Sequence, residues 1–308
     1  MKVCFFGLGS IGVRHLKNLL KVSREMNIQL EIHAYRSSKR KLEKSVDSLI
    51  SKQIFSCSGL EEYDIVFITN PTSLHYETIK NNVVRTKHFF IEKPLFESSK
   101  YDLSKLNLKT DSIYYVACPL RYSSVIQYLE KFVAENNVFA VRSICSSYLP
   151  EWRKGRDYTK TYSAKKNMGG GVSLDLIHEI DYITHLFGFP KRSINVRGTF
   201  SDLKIDSDDL SIYVLEYTDK LVEIHLDYFG RVPRREVELY TKNDVVVGDI
   251  YNNKIKFLRK GVEKSISVND FYVDEIKYFL EHVLRNEKTW NEIDYAYKVL
   301  KLSEGDKA

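Results

Sequence analysis

Lys93 is the residue of this chain best suited by type and neighbours to meet a reacting oxygen. It follows the run Phe89-Phe90-Ile91-Glu92 and precedes Pro94. Hydride transfer from a carbinol carbon needs the developing alkoxide stabilised and the hydroxyl proton removed, and a lysine at a strand end suits either task. A second pair, Asp175 and His178, stands three residues apart, so on a single helix the two share a face. A histidine near neutral pH carries a proton readily; Asp175 would orient it or accept from substrate hydroxyls. A third group, Trp152, Arg153, Arg156, Tyr158 and Tyr162, precedes the Gly169-Gly170-Gly171 run. Aromatic faces stack on sugar rings and guanidinium groups pair with carboxylate or phosphate, so these residues suit an anionic sugar. They equally suit the ordering of a long loop.

The chemistry of Lys93 requires a hydride carrier, and the first twelve residues contain the pattern for one. Val3-Cys4-Phe5-Phe6 runs directly into Gly7-Leu8-Gly9-Ser10-Ile11-Gly12, after which apolar residues take helical spacing at Leu16, Leu19 and Leu20. A G-x-G-x-x-G between strand and helix is a dinucleotide signature. Gly7 permits the turn, Gly9 admits a pyrophosphate, Gly12 lets the helix pack, and the helix start at Ser10 and Ile11 offers free N–H groups. A second strand, Gln29 to Tyr35, leads into Arg36-Ser37-Ser38-Lys39-Arg40-Lys41. NAD calls for a carboxylate there, whereas Arg36 and Ser37 suit a 2′-phosphate, so the turn favours NADP over NAD. No further basic cluster lies nearby to suggest nucleic acid.

The elements that must position these residues alternate at first. Strands at 64–68, 88–91 and 113–118 are separated by helical stretches, which implies a doubly wound parallel sheet. Ligands bind beyond the carboxyl ends of such strands, which is where Asn70, Pro71, His75, Glu92 and Lys93 fall. After about residue 120 the pattern becomes alternating strands, at 139–148, 210–214, 222–228, 237–239 and 245–247, with a hairpin turn at Thr218-Asp219. The expectation is α/β: a doubly wound domain over 1–120, then an α+β domain over 121–308 with an open-faced, mostly antiparallel sheet. The last helix, from about Glu292, would pack back on the first domain. An open apolar face needs cover, which predicts a homodimer or homotetramer through that sheet.

Composition agrees with two soluble domains. The chain has 308 residues, 43% hydrophobic and 29% charged, and 47 Lys and Arg against 41 Asp and Glu give a net charge of +6. The scattered Cys4, Cys57, Cys118 and Cys145 have no metal spacing, and no metal is expected. The absence of an apolar run of ~18 residues and of a leader-like core predicts a cytoplasmic protein with no membrane partner.

Taken together and in order, Gly7 to Gly12, the Pro71-Thr72-Ser73-x-His75 turn, Glu92-Lys93-Pro94, Arg121 and the Gly169–Asp181 stretch resemble the Gfo/Idh/MocA (glucose–fructose oxidoreductase, inositol dehydrogenase) family. The resemblance covers nearly the whole chain. It implies a Rossmann domain followed by an open-faced sheet domain, a cis Lys93–Pro94 bond that aims Lys93, and Arg121 at the domain junction binding substrate or tying the domains. It departs from the family in one place: Asp175 and His178 are spaced D-x-x-H, where D-x-x-x-H is commoner. The expected function is an NAD(P)-dependent oxidoreductase of a sugar, sugar acid or nucleotide-sugar, with a place in surface-glycan biosynthesis. A redox-neutral epimerase-type enzyme with tightly held cofactor, or a non-catalytic dinucleotide- or sugar-binding regulator, are the alternatives.

Overall fold

The structure, a computed structural model, describes residues 1–305. The chain divides into two compact units, one of Met1–Phe96, Lys100–Ala117 and Tyr272–Ala296, the other of the remainder.

The first unit is built on six parallel strands: β1 (Lys2–Phe6), β2 (Glu31–Tyr35), β3 (Lys52–Ile54), β4 (Tyr63–Ile68), β5 (Thr86–Ile91) and β6 (Tyr114–Val116). Their order is β3-β2-β1-β4-β5-β6. The reversal of strand order after β1 places its carboxyl end beside that of β4. Val3, Cys4, Phe5, Ile65, Val66, Phe67, Phe89 and Phe90 are wholly buried, as expected of strands covered on both faces. Between the strands run α1 (Ser10–Glu25), α2 (Lys44–Asp47) and α3 (His75–Asn82). α1 turns Gly12, His15, Leu16, Leu19 and Val22 inward.

The expected boundary gives 121–308 to the second domain with only the last helix returning to the first; the chain from Tyr297 groups with the second unit, while the segment that groups with the first is Tyr272–Ala296. Side-chain bonds hold it there. The Tyr115 hydroxyl donates to Glu275 at 3.0 Å, Glu292 accepts from the Tyr114 N–H at 2.8 Å, and Asn291 donates to the Val116 carbonyl at 2.6 Å.

The second unit carries α4 (Ser124–Glu135), β7 (Val138–Tyr148), α5 (Val172–Asp175) and α6 (His178–Phe187). Strands β8 (Arg192–Gly198), β9 (Leu210–Glu216), β10 (Leu221–Asp227), β11 (Phe229–Thr241), β12 (Val245–Asp249), β13 (Lys254–Phe257) and β14 (Val262–Ser265) follow. The sheet order is β14-β13-β12-β11-β7-β10-β9-β8. Every pairing is antiparallel except β7 with β10, which is parallel. Strand residues alternate: on β9, Ser211, Tyr213 and Leu215 are buried, while Val214 on the other face is 40% exposed. The chain closes with α7 (Phe271–Arg285) and α8 (Ile293–Ser303).

Several of the chain's 21 tyrosines are core residues with a bonded hydroxyl. Tyr115, Tyr182, Tyr213 and Tyr228 are fully enclosed, and each hydroxyl has a partner: Glu275, Ser143, the Ser303 carbonyl and Asp175 respectively.

Candidate functional site

In the first unit the glycine turn, Asn70 and Lys93 come off the carboxyl ends of the adjacent strands β1, β4 and β5. The three glycines do different work. Gly7 has φ +96°, and a Cβ there would stand 2.8 Å from the Asn70 backbone. A Cβ on Gly12 would lie 2.5 Å from the Gly7 carbonyl oxygen and 2.8 Å from Thr69 Oγ1, so this glycine lets helix and strand touch. A Cβ on Gly9 would meet nothing within 4 Å. That position faces open space at the start of α1, whose first turn has no side-chain cap. These features fit a dinucleotide: its pyrophosphate would take the space beside Gly9 and accept from the first N–H groups of α1, at Ser10 and Ile11.

Arg36 follows β2, with Ser37 exposed beside it. Its guanidinium donates to Gln53 at 2.6 Å and to the Arg40 carbonyl at 2.5 Å. Two of its five N–H groups are thereby used and its orientation is set. Asn70 donates to Thr78 Oγ1 at 2.8 Å, while its own Oδ1 is buried without a partner. Pro71 is exposed.

Two further expected cofactor contacts, His75 and Glu92, have side chains turned into the protein. His75 is 1% exposed, and its ring nitrogens face the Leu95 carbonyl at 3.0 Å and the Asn70 carbonyl at 3.1 Å. Burial lowers the His75 pKa despite these carbonyls, so the ring is neutral and donates to one of them at a time. It ties the turn after β4 to the segment after Pro94. The Glu92 carboxylate is also turned inward. Oε1 lies 2.5 Å from His15 Nε2, and Oε2 accepts from the Lys93 backbone N–H at 3.0 Å. Burial would push this carboxyl up, but the His15 bond, with the Lys93 charge nearby, holds it below the ordinary carboxylate range. Lys93 itself is half-buried, and its bond to Pro94 is cis.

In the second unit the run Gly169-Gly170-Gly171 shapes the approach to Asp175. Gly169 has φ +77° and Gly171 φ +131°. A Cβ on Gly170 would clash with the carbonyls of Tyr162 and Ser163, at 2.0 and 2.7 Å. At Gly171 the obstacle would be the Asp208 carboxylate, at 2.3 Å. Asp208 in turn accepts from the Ser173 N–H at 2.9 Å and anchors the start of α5.

Asp175 and His178 lie on two successive short helices rather than on one. α5 ends at Asp175, Leu176 and Ile177 form a turn, and α6 begins at His178. The i, i+3 geometry expected from the spacing is replaced by two short helices. α6 is fixed by two ion pairs, one of them buried on both sides. Arg121, 3% exposed, grips both oxygens of Asp181 at 2.6 and 2.8 Å. Arg235 Nε lies 2.7 Å from Glu179 Oε1, and burial pushes the Glu179 carboxyl up in spite of that guanidinium. Arg121, expected to bind substrate or tie domains, is thus engaged with α6 within its own unit.

The sequence did not single out Tyr228 as functional, because it reads as one more inward residue of the strand expected at 222–228. Its hydroxyl donates to Asp175 Oδ2 at 2.6 Å, and Trp152 stands edge-on to its ring at 5.2 Å. Trp152, Arg153, Arg156 and Tyr158 line one shallow concavity with Leu149, Pro150, Thr161 and Ser163. The Arg153 guanidinium lies over the Tyr162 ring at 5.4 Å. Partial enclosure and the nearby Asp175 carboxylate push the Tyr162 phenol up, although the residue is 40% exposed. The arginine loop and Asp175 are therefore neighbours through Trp152, Tyr228 and Tyr162. No cluster of metal-ligating side chains occurs among the described residues. No helix there is long and apolar enough to cross a membrane.

Comparison with known proteins agrees with this geometry. Residues 1–106 match the model of an oxidoreductase family with an NAD-binding Rossmann fold, GFO_IDH_MocA. A curated relative, 2,7-anhydro-N-acetylneuraminate hydratase of Escherichia coli K12, is 24% identical over 156 residues, which are 50% of this chain and 39% of that protein. Among solved structures, levoglucosan dehydrogenase with NADH and levoglucosan superposes with a TM-score of 0.84 at 13% identity, covering 99% of this chain and 95% of that one. Myo-inositol 2-dehydrogenase of Lactobacillus plantarum gives 0.78 at 19% identity, over 99% and 95%. UDP-N-acetylglucosamine 3-dehydrogenase of Acidithiobacillus ferrooxidans gives 0.79 at 18%, over 100% and 96%. Residues 1–106 thus match the Rossmann-fold model of that oxidoreductase family, and the chain shares the fold of these solved structures through its length, a parallel sheet followed by a mostly antiparallel one.

Proposed function

We propose that the protein is an NAD(P)-dependent oxidoreductase acting on a hydroxyl-bearing carbon of an anionic sugar. The observation that carries the reading is the convergence of the open Gly9 position, the uncapped start of α1 and Lys93 at the carboxyl ends of neighbouring parallel strands. A bound nicotinamide dinucleotide would supply hydride acceptance or donation. Gly7, Gly9, Ser10, Ile11 and Gly12 would hold its phosphates. Asn70 and Pro71 would line the adjoining turn. Arg36, pre-set by Gln53 and the Arg40 carbonyl, has N–H groups left for a 2′-phosphate with Ser37, which favours NADP over NAD.

The Lys93 ammonium is assigned to the substrate oxygen, where its charge favours the alkoxide. In the second unit, His178 is assigned to the hydroxyl proton. Asp175, fixed by the Tyr228 hydroxyl, would accept from substrate hydroxyls. Trp152, Tyr158 and Tyr162 offer faces to a sugar ring, while Arg153 and Arg156 suit its carboxylate or phosphate. The outward face of β8 and β9, where Ile194 opposes Val214 and Val196 opposes Ile212, supports a homodimer or homotetramer through the sheet. Cys4, Cys57, Cys118 and Cys145 form no disulfide among the described residues, which suits a reducing, cytoplasmic setting.

A redox-neutral outcome, with cofactor oxidised and re-reduced in one cycle, is the second reading. It is favoured by the hydratase name of the Escherichia coli relative. The test is a screen of sugar acids and nucleotide-sugars with each cofactor, following nicotinamide absorbance and product by mass spectrometry. Turnover that Lys93→Ala abolishes while cofactor still binds supports the proposal. Unchanged turnover in Lys93→Ala removes Lys93 from the mechanism.

A further inference from the structure

His15 lies on the buried stripe of α1, between Gly12 and Leu16, where an apolar residue is the ordinary choice. It is 0% exposed and packed against Phe90 at 4.9 Å and Phe67 at 6.3 Å. Its Nδ1 is buried with no partner. An enclosed imidazole with one ring nitrogen unpaired is costly, and a leucine among these rings would avoid that cost. What the imidazole contributes is one bond, from Nε2 to Glu92 Oε1.

That bond continues to the reacting residue. Glu92 Oε2 accepts from the backbone N–H of Lys93 at 3.0 Å. The enclosed carboxylate thus has one donor on each oxygen, the Nε2–H of α1 and the main chain of Lys93. Tyr272 adds a third wall, 6.1 Å from the His15 ring. The helix whose start would hold the pyrophosphate is thereby bonded, two links on, to the backbone of Lys93.

We infer that His15 is a positioning residue for Lys93, acting through Glu92 to set the main chain from which the ammonium projects. This rests on the role given to Lys93 above. A positioning role predicts a loss of rate rather than of cofactor affinity, because His15 touches neither phosphate nor reacting atom. A displaced acid–base or electrostatic group costs about 10- to 100-fold in rate.

The experiment uses the full chain as wild type, His15→Leu, His15→Gln, Glu92→Gln and Lys93→Met. Hydrogen exchange of the Lys93 amide is read by mass spectrometry or NMR, alongside Kd for NADPH and NADH. Where the screen has supplied a substrate, kcat and KM are added. His15→Leu is expected to speed Lys93 amide exchange at least about tenfold and to lower kcat by about 10- to 100-fold, with cofactor Kd little changed. His15→Gln keeps an N–H donor and Glu92→Gln keeps an acceptor for Lys93, so both should retain most of the protection. Unchanged Lys93 amide exchange in His15→Leu overturns the inference whether or not turnover is detected. So does a kcat equal to wild type in His15→Leu when Lys93→Met is inactive. Full turnover in Lys93→Met refutes the parent assignment instead, while the exchange data still decide whether His15 orders this backbone.

Discussion

The glycine turn permits a prediction that separates cofactor binding from folding. Gly9 has φ −72°, which alanine adopts freely, and an added Cβ meets nothing within 4 Å. Gly9→Ala loses helix-capping preference, a cost of up to about 1 kcal/mol. It gains about 0.4–1 kcal/mol from restriction of the unfolded chain. The two nearly cancel, so Tm should move by no more than about 3 °C. The new methyl nevertheless stands where a pyrophosphate would approach the start of α1, and dinucleotide affinity should fall at least about tenfold, or ~1.4 kcal/mol. Gly12→Ala is the contrast. Its Cβ would lie 2.5 Å from the Gly7 carbonyl oxygen, a backbone atom that cannot rotate away. Overpacking of this kind costs about 1–3 kcal/mol, and Tm should drop by several degrees. The assay is cofactor titration by fluorescence, paired with thermal melts of both variants. Wild-type affinity in a folded Gly9→Ala protein would refute the placement of the pyrophosphate beside Gly9.

Other outcomes follow from the same structure. Arg36→Ala should weaken NADPH binding more than NADH binding, measured by parallel titrations; an equal effect on both would remove the 2′-phosphate from the reading. The Glu92 carboxyl is held below its ordinary range, so the stability it contributes is full above its unfolded value of ~4.3 and is lost as pH falls through the folded value. Melts of wild type and Glu92→Gln should therefore converge on acidification below about pH 4, and parallel curves from pH 7 to pH 3 would contradict this. Val196 is 60% exposed on the outward face of β8. Val196→Glu should reduce the solution mass of the assembly without unfolding it, and a monomeric wild type would remove the sheet interface altogether.

How much of this was legible depended on the range of the interactions involved. The glycine turn was readable because each glycine answers to local sterics, with strand, turn and helix contiguous in the chain. The parallel and antiparallel sheets announced themselves by a change of period, from buried apolar runs to alternation at β7, β9 and β10. The Asp175–His178 geometry was misjudged because the break at Leu176–Ile177 belongs to a short α5 anchored by Asp208, distant in sequence. Tyr228 stayed hidden for the same reason: alternation marks it as core, and only the fold brings its hydroxyl to Asp175. The return of Tyr272–Ala296 to the first unit depends on Glu275 and Glu292 meeting Tyr115 and Tyr114, which no local pattern encodes. His15 did carry a signal, a polar residue on the apolar stripe of α1 three residues after Gly12. Its meaning emerges only with Glu92 beside it.

The central claim is hydride transfer between a nicotinamide and a sugar carbon. It is tested most directly by incubating the protein with cofactor deuterated at the transferring carbon and a panel of anionic sugars, then reading each sugar by mass spectrometry. The wild type should place deuterium on one carbon of a sugar, in a net redox or a redox-neutral cycle, and Lys93→Met should place none. Bound cofactor that passes no deuterium to any sugar of the panel, or equal transfer by Lys93→Met, would contradict it.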